Sequence, residues 1–110
     1  MAQNFRRYVA RQVGTSATTL FTADSFDTIV GIALANVTSS EIKVDVILND
    51  ADSSNDVYLI KNAQIIDGQA LQVIDGGAKY VVKSGDVLKV VSDTASSCDV
   101  IVSVVDAISE

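Results

Sequence analysis

Of the 110 residues, 34 are Val, Ile or Thr, and no stretch carries apolar residues at i, i+3, i+4 and i+7 over three turns. Side chains branched at Cβ are stiff at χ1 and lie more easily on a pleated strand than on a helix. Residues that favour helices are scarce, with six Leu, one Met and two Glu, so helical periodicity has little to build on. The expected class is all-β. A chain of 110 residues holds one core and one domain. Its 48% hydrophobic and 20% charged residues are the composition of a folded chain, not a disordered one.

Short apolar runs separated by polar punctuation place the strands. They are expected at 17–22, 28–35, 41–48, 57–61, 64–66, 70–74, 79–83, 87–92 and 98–105. Residues 41–48 alternate most cleanly, with Ile42, Val44, Val46 and Leu48 on one face and Lys43 and Asp45 on the other, the pattern of a half-buried antiparallel strand. Cys98, Val100, Val102 and Val104 share a face in the last run, which is expected at the centre of a sheet. In 28–35, Gly31, Ala33 and Ala35 alternate with Val30, Ile32 and Leu34, so the strand is expected to be covered on both sides, its small face meeting another subunit. Asp67-Gly68 and Asp75-Gly76-Gly77 read as hairpin turns, and Ser84-Gly85-Asp86 as a further turn. Eight or nine strands spaced about ten residues apart fit an antiparallel β-sandwich with jelly-roll or Greek-key connections. No repeat of 20 to 50 residues supports a propeller or solenoid.

Charge divides the chain into two parts. Residues 1–13 hold Arg6, Arg7 and Arg11 and no acid, whereas residues 14–110 hold five Lys against fourteen carboxylates, a charge of −9. Phe5, Tyr8 and Val9 are interleaved with those arginines, so the segment offers apolar anchors and bidentate donors to a partner. Thirteen extended residues reach roughly 45 Å at about 3.3–3.6 Å each, far enough to touch a neighbour. Two readings stay open for 1–13: an N-terminal arm, or the first strand of the sandwich formed by 14–110. Both hold together if the strand adds to another subunit's sheet. Phe5, Arg6, Arg7, Tyr8 and Arg11 are the candidate partner-binding residues.

Chemistry-bearing motifs are few. There is no His or Trp, and one Cys, which removes the common general base, most metal sites and any disulfide within the chain. Residues 49–56, NDADSSND, place Asp50, Asp52, Ser54 and Asp56 at alternate positions, as a calcium loop begins. The sixth position is Asn55 instead of Gly and the twelfth Lys61 instead of Glu, so Asp50, Asp52 and Asp56 are weak metal candidates and the expectation is no metal and no cofactor. Cys98 is expected to be a small buried hydrophobe. The carboxylate pairs Asp24 with Asp27 and Asp50 with Asp52 lack the aromatic platforms of glycoside chemistry, and no enzyme activity is expected. Gly76-Gly77 and Gly85 precede no helix and no Lys-Ser/Thr, so they cradle no phosphate. The acidic body argues against nucleic acid. No apolar stretch approaches the roughly 18 residues of a membrane span and no signal peptide is evident, so neither membrane residence nor such export is expected.

Three stretches, MAQNFRRYVARQVGTSATTLFT at 1–22, VGIALANVTSSEIKVDVIL at 30–48 and SGDVLKVVSDTASSCDVIVSVVD at 84–106, resemble small virion structural proteins of tailed bacteriophages, particularly those infecting cyanobacteria. The likeness runs over nearly the whole chain and is most distinctive at its opening. It implies a non-enzymatic, multi-copy virion component of the head (decoration or cement), neck or tail, and supplies no catalytic residue. The expected partners are other virion proteins and further copies of the chain as a homo-oligomer. The alternative is a calcium- or glycan-binding sandwich serving host attachment.

Overall fold

The computed structural model describes residues 5–23, 27–74 and 80–105. Among them the chain forms strands only: β1 (Phe5–Val13), β2 (Thr18–Thr22), β3 (Asp27–Asn36), β4 (Ile42–Asn49), β5 (Asp56–Ile65), β6 (Ala70–Ile74), β7 (Tyr80–Val82), β8 (Val87–Ser92) and β9 (Cys98–Val105). Sheet A runs β1-β9-β3-β6, with β7 also on β3, and sheet B runs β2-β8-β4-β5. All pairings are antiparallel. β6 pairs with Ile32–Ala35 and β7 with Asp27–Ile29, both along the same side of β3, so the two read as one interrupted strand. Successive strands then alternate between sheets except at the β4–β5 hairpin within sheet B, the jelly-roll arrangement. The fold is thus an all-β sandwich, as the branched side chains dictate.

The core lies between the sheets. Val, Ile and Leu from the inner faces supply it, and Ile29, Leu34, Val44, Val46, Leu88, Val90, Cys98 and Val102 are wholly buried. β4 buries Ile42, Val44 and Val46 as its alternation predicts, and β9 buries Cys98, Val100, Val102 and Val104 between β1 and β3. At one side Tyr8 of β1 stacks on Phe21 of β2, with ring centroids 4.6 Å apart and planes 8° from parallel, closing the gap between the two sheet edges.

Four expectations need correction. The runs at 57–61 and 64–66 are one strand, β5, which spends ten residues opposite the eight of β4. Register shifts facing Val44–Val46 and Val46–Ile47 mark the two extra residues, and Asn62 takes φ 54°, so alternation is broken where pairing is not. In β3 the inward set is Ile29, Ile32 and Leu34. A register shift between Ile29 and Gly31 turns Val30 away from the face first assigned to it. The Asp67-Gly68 turn is real, with Gly68 at φ 73° and Gln69 N donating to Ile66 O. It carries the chain from β5 of sheet B to β6 of sheet A, however, and is no hairpin. Asp75-Gly76-Gly77 lies outside the described residues, and the strands flanking it, β6 and β7, do not pair with each other.

Candidate assembly interface

Residues 5–13 form β1, the outermost strand of sheet A, paired with β9 of the same chain from Phe5↔Val105 to Ala10↔Val100 without interruption. The strand reading of this segment is therefore the observed one. Its other edge pairs with no described strand. Alternation sorts the candidate partner-binding residues onto two faces. Tyr8 points inward, half-buried on Phe21, and Val13 at the strand's end is buried in the core. Arg6 shares the inward-facing set but is exposed near the open end. Phe5, Arg7 and Arg11 lie outward with Val9, and Phe5 is 75% and Val9 56% exposed.

The outer face of sheet A continues this surface. Val9 pairs with Ile101 and Ile101 with Ala33, while Ala35 pairs with Asp99 and Ala70. These small and apolar side chains floor a shallow groove of about 300 Å³, with Arg11 and Asp99 among its lining. Gly31 and Ser103 extend it as a second depression. Gly31, Ala33 and Ala35 do share an outer face.

The outer face of sheet B is built differently. Lys61 lies 3.8 Å from Asp45 and 4.4 Å from the Tyr58 ring centroid, and Lys89 lies 3.7 Å from Asp56. Those charges answer one another on a solvated surface. Arg7 and Arg11, by contrast, pair with no carboxylate among the described residues.

The acidic loop between β4 and β5 is closed by its own hydrogen bonds. Asp50 accepts from Asp52 N and Ser53 Oγ, Asn49 Nδ2 donates to Ser54 O and Asp56 Oδ1, and Ser54 N donates to Asp50 O at 2.7 Å. Asp52 meets Lys83 Nζ at 2.6 Å, and that contact raises the Lys83 pKa above its ordinary value, the hydrogen bond first and the carboxylate's charge next. Among the described residues no three His, Cys, Asp or Glu gather as a metal-binding group. Of the other carboxylates considered, Asp27 is buried at the start of β3 and Asp24 lies outside the described residues.

Sequence reading missed one role of the acids: they accept backbone N–H groups where the ladder breaks. Asp99 Oδ1 takes Gln12 N at the β1 bulge, where Gln12 has φ 53°, and Asp45 Oδ1 takes Asn62 N at the β5 bulge. Asp86, 6% exposed, takes Ala51 N and Lys83 N and so ties two loops together. Asp93 takes Lys43 N, and this bond first, then the Thr94 hydroxyl, holds its carboxyl below the usual range. A lone Asp beside a strand looks like a solubilising charge. Its register against a bulge in the neighbouring strand, 87 residues away for Asp99 and 17 for Asp45, is not local information.

Cys98 is fully buried, and burial first, then the Asp99 charge, pushes its thiol from 9.0 up to about 11. No His stands in the sequence to activate a nucleophile, and the geometry is that of an all-β sandwich with an apolar outer groove beside exposed arginines. Its fold recurs in two assemblies. A chain of the Bacillus endospore appendages, described as a novel family of disulfide-linked pili, superposes with a TM-score of 0.58 at 10% identity, over 98% of this chain and 88% of that one. A chain of the T13 particle of IBDV, an icosahedral virus, superposes with a TM-score of 0.56 at 12% identity, over 94% of this chain. The match spans only 31% of the viral chain. No family model and no curated protein matches the sequence. At such identities the likeness is one of fold.

Proposed function

We propose that this chain is a multi-copy structural component of a supramolecular assembly, a virion protein of the head (decoration or cement), neck or tail, that docks through β1 onto a neighbouring subunit. The observation that carries it is the outer side of β1: a strand edge that, among the described residues, is unpaired and bears exposed Phe5 and Val9 beside Arg7 and Arg11 without acidic partners. A long open edge is ready to add a strand unless something blunts it. Over Phe5–Ala10 the ladder with β9 runs without a bulge, and the three arginines discourage pairing with another β1 through like-charge repulsion. A partner with acidic character is selected instead.

Fold likeness to pilus and capsid chains supports an assembly role without fixing the assembly, and the tailed-phage reading rests on the sequence resemblance. Mass spectrometry of purified particles from the phage whose genome carries this sequence tests it directly. Many copies per particle are expected; absence from washed particles would contradict the reading. Removing residues 1–13 is a poor probe of docking, because it strips Val13 from the core and Tyr8 from Phe21. The substitutions Phe5→Ser and Val9→Ser leave the inward face intact, and together they are expected to abolish incorporation while preserving the thermal unfolding transition.

A further inference from the structure

Resting on that assembly reading, we infer that the groove on the outer face of sheet A receives the acidic β4–β5 loop of a second copy, joining copies head to tail. The two surfaces complement each other in charge: Asp99 is the one carboxylate in the groove's described lining, and its Oδ1 is engaged by Gln12 N. Arg11 lines the groove and Arg7 lies on the same face of β1 opposite Ser103, both without a carboxylate partner among the described residues. The loop presents a half-buried Asp50 and an exposed Asp52, the latter shared with Lys83 of its own chain, with Ala51, Ser53 and Ser54 exposed beside them. Small side chains suit a shallow apolar floor of Val9, Ala33, Ala35 and Ile101.

The loop is already held in one shape by its internal hydrogen bonds and by Asp86 on Ala51 N, so docking orders little that is not ordered beforehand. It cannot reach its own groove. The loop sits beside Lys83, next to the β7–β3 pairing at Asp27–Ile29, whereas the groove lies at Ala33–Ala35. The centres of those two parts of β3 are roughly 20 Å apart at about 3.3 Å per residue. A contact between different surfaces of identical chains is heterologous, and it generates rings or filaments instead of closed dimers.

Sedimentation of the full chain across micromolar to millimolar concentration tests this. The wild type is expected to associate, more weakly as salt rises from about 50 to 500 mM because the contact is charged. Arg7→Glu with Arg11→Glu is expected to weaken association at least about tenfold, and Asp50→Lys with Asp52→Lys likewise. An equimolar mixture of the two reversed chains is expected to associate again, since each acidic loop then finds a basic groove and each basic loop an acidic one. Ala33→Arg, which fills the groove, gives a second route to the same loss. A wild type that stays monomeric, or reversed chains that associate as the wild type does, overturns the inference; association untouched by these changes leaves the assembly reading standing with a different contact.

Discussion

Asp86 accepts two backbone N–H groups from different loops while almost wholly shielded from water. A buried carboxylate in that role is stabilising, and its loss leaves donors without partners. Asp86→Ala is expected to lower stability by about 2 kcal/mol, read as a lower urea midpoint. An unchanged midpoint would mean that water replaces the carboxylate at no cost. Cys98 gives a pH-dependent counterpart. Its folded pKa, about 11, lies above the ordinary 9.0, so the folded state holds the proton more tightly. That stabilisation is whole below pH 9.0 and is lost as pH rises toward 11. Native protein at pH 8 is expected to resist a thiol-specific disulfide reagent until denaturant is added. Rapid labelling without denaturant would place the thiol at the surface.

At the scale of elements, the legible strands are those that pair without extra residues along their core face. β4 and β9 announce their buried faces because every second residue is apolar and the pairing of β4 with β8 never slips. β5 hides its continuity, because two extra residues scramble its period against β4. The bends at Gly68 and Gly85 were legible as turns, but a Gly at positive φ says only that the chain bends. Whether the Gly68 bend stays in one sheet or crosses to the other depends on what the next strand packs against. Bulges should also be the weak points of the ladder. Asp45→Ala removes the acceptor from Asn62 N, so amide exchange at Asn62 is expected to quicken, with a stability loss of about 1 kcal/mol. Unchanged exchange would show that the bulge closes without the carboxylate.

The whole molecule is asymmetric in how its two broad surfaces handle charge. On sheet B, lysines meet aspartates of the same chain; on sheet A, Arg7 and Arg11 lie on the face of an apolar groove and find none among the described residues. The segment at 5–13 was legible as cationic from its composition, but its place as a sheet edge came only from its register with β9. The pilus chain of similar fold comes from disulfide-linked fibres, whereas the one cysteine of this sequence is buried in the core. The contacts between copies proposed for the described surface would thus be non-covalent, held by apolar area and ion pairing. The most direct measurement is a cryo-electron microscopy map of the assembled particle at a resolution that traces strands. The account expects β1 and the outer side of sheet A pressed against a neighbouring subunit, with Arg7 and Arg11 facing its carboxylates. A map in which that side faces solvent and sheet B makes the contacts would contradict it.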